Sequence, residues 1–133
     1  MELVLRLEVH VPGLIVADDF EPVRHSLKMY LEARGWGPCR EAANGAEALT
    51  LARDSRPDAV ILDYSMPVMN GAETAKAFRD EMPDVPVFMF TGHANTAQRH
   101  LPGISAIGVF SKDKIRPLVD ALSECLQKKQ SSR

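Results

Sequence analysis

Five polar side chains stand where short apolar runs of the sequence end. Asp18 and Asp19 follow "LIVA", Asp63 closes "DAVILD", Thr91 closes "VPVFMFT" and Lys112 follows "AIGVFS". If those runs are strands of one parallel sheet, they point the same way and their ends converge on one rim. Carboxylates, a hydroxyl and an amine then share a site. Acids within about 5 Å of one another repel by roughly 3 kcal/mol per pair at an effective dielectric near 20. Lys112 offsets one charge, and a hard divalent cation held by oxygen would offset two more. Mg²⁺, with Mn²⁺ as its substitute, suits such a set because it takes a few carboxylates and keeps waters or phosphate oxygens as its other ligands. The combination is built for a phosphoryl group. One carboxylate can attack phosphorus while metal, amine and hydroxyl hold the oxygens where charge develops. Taken singly, each acid also reads as a solvated helix cap; it is the matching position of all five groups that favours the shared site.

The elements that must position them alternate between strands and helices. "GLIVA" (13–17) has no polar member, as expected of a strand covered on both faces. Asp19 as a cap, Pro22 in the first turn, and Phe20, Val23, Leu27, Tyr30 and Leu31 at helical spacing predict a helix that Gly35 and Gly37 end. A weak second strand fits Cys39–Ala42, and Asn44-Gly45 leads into a helix over about 46–55. Residues 58–63 read as the third strand, Ala72, Ala75, Phe78 and Met82 mark a helix, 85–91 read as the fourth strand and 106–111 as the fifth. Pro117 opens a last helix with Leu118, Val119, Leu122, Cys125 and Leu126 inward. Between strands four and five, Pro102-Gly103 keeps any helix short or broken and predicts the most mobile part of the domain. Repeated strand–helix units with strands of this kind predict an α/β fold, a doubly wound five-stranded parallel sheet with helices on both faces.

The 133 residues, 45% of them hydrophobic, suffice for one core. A net charge of −2 offers no basic face for nucleic acid. No apolar run approaches the ~20 residues of a membrane span, and no secretory signal is visible at the start. Cys39 and Cys125 read as reduced thiols of a cytoplasmic protein rather than a disulfide. The opening "MELVLRLEVHV" is apolar at 3, 5, 7, 9 and 11, the period of a half-exposed strand. If the first core strand has neighbours on both sides, this extension must reach a sheet edge or pair with another molecule, through which a homodimer could form. An unstructured leader is the alternative.

With these residues in order, the sequence resembles the receiver domain of two-component response regulators over about residues 14–128, leaving 1–13 as an extension and 129–133 as a polar tail. The matching residues are Asp18-Asp19 after "LIVA", "LDYSMPVMNG" around Asp63, Thr91 after "VFMF", and Lys112 in "VFSKD". The resemblance implies a flavodoxin-like sheet of order 2-1-3-4-5. It implies that Asp63 is the phosphoacceptor for a sensor histidine kinase or phosphotransfer protein. Asp18, Asp19, Asp63 and the backbone carbonyl of Ser65 would hold the metal. Thr91 would be the hydroxyl that moves to meet the phosphoryl group, and Lys112 its ion-pair partner. Such a module catalyses only its own phosphorylation and dephosphorylation.

Two departures from the family pattern stand out. A proline usually follows the lysine; here it is Asp113, which makes a cis bond improbable and whose carboxylate could compete for Lys112. Val109, three before the lysine, stands where an aromatic ring often reports phosphorylation, so repacking around Pro102-Gly103 is the expected substitute. Ser65 and His93 are placed to tune phosphoryl lifetime, and neither offers a carboxamide or carboxylate to orient water. His10, His25 and His100 form no metal spacing, and Trp36 and Phe88 read as packing residues.

The expected output is contact with a downstream protein, since "KKQSSR" cannot form a second domain; a module cut from a larger regulator or hybrid kinase, or a phosphorylation-independent receiver-like module, are the alternatives. An aspartate-nucleophile phosphatase is disfavoured because Ser65 stands where such enzymes need a second acid. No glycine-rich nucleotide loop is present.

Overall fold

The computed structural model describes residues 13–100 and 108–131, so residues 1–12 of the extension and the Pro102-Gly103 segment lie outside the described residues. In chain order the elements are β1 (Leu14–Ala17), α1 (Glu21–Ala33), β2 (Cys39–Ala42), α2 (Gly45–Ser55), β3 (Ala59–Leu62), α3 (Gly71–Glu81), β4 (Val87–Thr91), α4 (Ala94–His100), β5 (Gly108–Ser111) and α5 (Ile115–Ser131). All strand pairs are parallel and the sheet order is β2-β1-β3-β4-β5, the doubly wound arrangement expected from the sequence.

The unbroken apolar character of β1, β3 and β4 follows from burial on both faces. Leu14, Val16, Ala59, Ile61, Phe88 and Phe90 pack with Leu27 and Leu31 of α1 and Leu118 and Leu122 of α5. Ile15, Ala17, Val60, Leu62, Val87 and Met89 pack on the other side with Ala48, Ala52, Ala75, Phe78 and Ala97 of α2, α3 and α4. Trp36 lies against the first cluster and Phe88 is fully buried, both as packing residues. Among the described residues no helix is long and apolar enough to cross a membrane.

Two helix starts are set by asparagine. The Asn44 side chain accepts from Glu47 N at the head of α2, and Asn70 with Glu73 forms a reciprocal capping box at the head of α3. The strands are shorter than expected, with β3 over 59–62 rather than 58–63 and β4 over 87–91 rather than 85–91, and two helix starts also differ from the sequence expectation. Asp19 does not cap α1; Phe20 occupies that position without a side-chain cap, and it is Asp18 Oδ1 that accepts from Phe20 N at 2.9 Å. The last helix begins at Ile115 rather than Pro117, because a proline within the first turn lacks only an N–H that would be unbonded there anyway.

β1 has hydrogen-bonded neighbours on both sides, which leaves no place beside it for a preceding strand. The β2 edge is blunted by carboxylates. Glu32 Oε2 accepts from Cys39 N and Glu47 Oε1 from Ala43 N, each at 3.1 Å, so two of its donors are occupied by side chains. Cys39 is a free thiol, and burial, helped by Glu32, pushes it up to about 11, a packing residue rather than a reactive one.

Candidate functional site: an acidic rim at the strand ends

The ladder continues one residue past two of the strands. Asp18 N donates to Ala42 O at 3.0 Å and Asp63 N to Ala17 O at 2.9 Å, which fixes both backbones at the carboxyl rim of the sheet. Lys112 N donates to Thr91 O at 3.1 Å and brings the end of β5 to the same rim. The lysine's Nζ then lies 2.6 Å from Asp18 Oδ2 and 3.1 Å from Asp63 Oδ2. Asp18, Asp19 and Asp63 each offer a carboxylate oxygen within 4.8 Å of the others. The structure thus brings together the three acids and Lys112.

The electrostatics are those of a crowded, half-dry site. Burial is the main influence raising the Asp18 carboxyl above its ordinary value; the Lys112 ammonium and the Phe20 amide oppose it, and the Asp63 charge adds to it. Burial alone would lower Lys112, but the hydrogen bonds and charges of Asp18 and Asp63 outweigh it and its pKa ends above the usual range. One ammonium therefore serves two carboxylates, and it does not serve all their oxygens. Asp63 Oδ1 is buried and has no hydrogen-bond partner. Together with the neighbouring acids, that unsatisfied acceptor fits a hard cation bound by oxygen, as the donor set alone suggested.

The loop after Asp63 is held by tight backbone turns. Gly71 N donates to Tyr64 O at 2.7 Å, and Met66 is buried beneath. Met69 N donates to Pro67 O at 2.6 Å around Val68, whose φ is +68°. This is a γ-turn with a left-handed central residue, a strained form, and a β-branched side chain there is unusual. Val68 is 83% exposed, so little packing rewards it. Val68→Asn is expected to stabilise the protein by about 1 kcal/mol, read as a higher midpoint in urea, because asparagine tolerates the left-handed region far better.

The remaining expected residues take these places. Thr91 is fully buried and its hydroxyl accepts from His93 N at 3.1 Å. Ser65 and His93 are exposed in the loops after β3 and β4. Val109 is half-buried, paired with Met89 in the sheet and packed on the core that includes Ala97 of α4. Asp113 does not capture Lys112, contrary to the competition expected from the sequence. Its N–H donates to Ser111 Oγ at 3.2 Å, and Lys114 N donates to Ser111 O at 3.0 Å, so Ser111 shapes the turn that follows the lysine while the ammonium reaches the rim acids.

One residue the sequence reading passed over is Arg24. Its Nη1 donates to Asp18 O at 2.9 Å and its Nε to Glu41 Oε1 at 2.8 Å. The Arg24 bond holds the Glu41 carboxyl below its ordinary value, against the burial that would raise it. The available signal was an arginine one turn into α1 together with an acid just before the end of β2.

The family model described as response regulator receiver domain matches residues 14–123. The chain is 33% identical over 113 residues to the response regulator MprA of Mycobacterium sp. (strain KMS), a match covering 85% of this chain and 46% of MprA. It thus spans about half the length of the curated relatives it matches. The signal receiver domain of the putative response regulator NarL from Mycobacterium tuberculosis superposes with a TM-score of 0.80 at 30% identity, covering 89% of this chain and 98% of that one. The response regulator TrrA of Thermotoga maritima superposes with a TM-score of 0.78 at 27% identity, covering 86% and 99%.

Proposed function

The chain belongs to the response regulator receiver domain family of two-component signalling, and from that premise we propose that it is a switch operated by phosphorylation of Asp63. The observation that carries this reading is the Lys112 ammonium bridging Asp18 and Asp63 while Asp63 Oδ1 is left without a partner. The Asp63 carboxylate attacks the phosphorus of a phosphohistidine on a histidine kinase or phosphotransfer protein. A P–O bond forms, the P–N bond breaks, and the imidazole leaves neutral because its other ring nitrogen carries the proton. Asp18, Asp19, Asp63 and the Ser65 carbonyl are the residues that would hold Mg²⁺ or Mn²⁺, which when bound neutralises charge on the carboxylates and on the transferring oxygens. TrrA, similar in fold, was solved with Mg²⁺ and a beryllium fluoride, which supports the assignment.

Lys112 supplies a fixed cation to the phosphoryl oxygens, and the Thr91 hydroxyl turns from the His93 amide toward them. Val109, short and branched, has little rotamer freedom and cannot swing as an aromatic ring would. The new state is read by contact with a downstream protein, and the domain acts as a signalling module rather than on an external substrate.

Acetyl phosphate with Mg²⁺ should place one phosphoryl group per chain, seen by intact mass, and a chelator should abolish it. Turnover of the donor without an adduct would point to a phosphatase, and neither result to a module that works without phosphorylation. Neither Ser65 nor His93 positions an attacking water, so the adduct should decay slowly. Ser65→Asn combined with His93→Glu should shorten its half-life by roughly tenfold or more, since a placed acceptor for the water's proton contributes at least that. An unchanged half-life would dismiss the tuning role.

A further inference from the structure

Arg24 forks between two groups with different jobs. Nη1 holds the carbonyl of Asp18, and Nε is anchored on Glu41 at the end of the neighbouring strand β2. The side chain is only 14% exposed, so the fork is fixed by packing as well as by its two bonds. The Asp18 carbonyl belongs to the peptide that joins Asp18 to Asp19. Asp18 is otherwise held from three directions, through its N–H on Ala42 O, its Oδ1 on Phe20 N and its Oδ2 at Lys112. Asp19 is exposed and follows the last ladder bond of its strand, so the orientation of the 18–19 peptide decides where its carboxylate points.

We propose that Arg24, braced by Glu41, is a positioning residue for the metal site, orienting the Asp18–Asp19 peptide so that both carboxylates face Asp63. The inference rests on the reading of the acidic rim as a divalent-cation site. It is separable from a general electrostatic role by sign. Removing a positive charge near a cation site should by charge alone strengthen binding of a divalent ion. Loss of positioning weakens it, as does loss of the groups that orient metal ligands elsewhere, by roughly 10–100-fold.

Glu41 is also met by His25 Nδ1 at 3.3 Å and Lys28 Nζ at 3.8 Å. Replacing Arg24 therefore does not strand a buried carboxylate, and the variants are expected to fold. The test is Mg²⁺ titration of the full chain by calorimetry, for the wild type, Arg24→Gln and Arg24→Lys, with thermal unfolding of each without metal. The expected result is a dissociation constant raised about tenfold in Arg24→Gln. Arg24→Lys should be raised nearly as much, because an ammonium keeps the charge but cannot span both acceptors with fork geometry. A metal affinity unchanged or tightened in Arg24→Gln, with only the unfolding temperature lowered, overturns the proposal and leaves Arg24 as a fold-stabilising residue. Full affinity in Arg24→Lys with loss in Arg24→Gln overturns it too, in favour of charge. If the wild type itself binds no Mg²⁺, the reading of the rim fails instead.

Discussion

Asp63→Asn is expected to lose phosphoryl uptake from acetyl phosphate by more than about a hundredfold, since a carboxamide is no nucleophile. The protein should remain folded. In the wild type, Asp63 has two acidic neighbours with oxygens within 4.8 Å, each repulsion worth at least about 3 kcal/mol at an effective dielectric near 20. Against these stands one attraction to Lys112 at 3.1 Å, about 5 kcal/mol on the same scale. Screening at exposed Asp19 trims one repulsion, so the terms nearly cancel. What remains is the unsatisfied buried Oδ1, and an amide in its place can donate to Asp18 where the carboxylate could not. The unfolding midpoint of Asp63→Asn should therefore equal or exceed that of the wild type without metal, by up to about 1 kcal/mol, a trade of stability against function common at such sites. Intact-mass spectra and urea titrations of the same preparations check both halves. An adduct that persists in the folded variant would move the acceptor to Asp18 or Asp19 and refute the assignment of Asp63.

The strands could be read because residues buried on both faces must be apolar throughout, and polar residues can begin only where the sheet ends. That is why Asp18, Asp63 and Lys112 mark the rim in the sequence itself. The second strand was weaker because β2 is an edge, with Arg40 exposed and Glu41 half-buried, so its pattern blurs. Cap assignments suffered from local ambiguity. Asp18 and Asp19 are adjacent acids, and sequence does not say which one the chain turns toward the Phe20 amide. Arg24 and Ser111 were missed for a related reason. Their roles rest on backbone groups, Asp18 O six residues before Arg24 and Asp113 N two residues after Ser111, and a backbone group leaves no mark in a sequence. The competition expected from Asp113 failed on geometry, because the turn directs Lys112 toward the rim while its neighbour's carboxylate stays exposed.

Gly71→Ala should be severely damaging, because the added methyl group meets backbone on two sides. Gly71 starts α3 at the end of the loop that leaves Asp63, and the chain folds back so closely there that its N–H bonds Tyr64 O at 2.7 Å. A Cβ at this position would lie 2.6 Å from Asp63 O, 2.6 Å from Tyr64 Cα and 2.9 Å from Met89 Sδ. The methionine sulfur can move. The other two atoms are backbone, and one of them is the carbonyl of Asp63 itself, so relief requires shifting either α3 or the strand end. Overpacking of this kind costs about 1–3 kcal/mol, and rigid backbone on two sides places this case toward the upper end. The fold should survive, because α3 keeps its Asn70–Glu73 capping box and its buried Ala75 and Phe78. The site should not survive intact, since any displacement of the Asp63 carbonyl carries the carboxylate away from Lys112 and Asp18. The expected outcome is a lowered urea midpoint together with phosphoryl uptake slowed by roughly a hundredfold, as a 1 Å misplacement can do. A variant with a lowered midpoint but unimpaired uptake would show that α3 yields and the strand end holds. A variant unchanged in both would mean that the close approach of Gly71 to Asp63 does not hold the site in place.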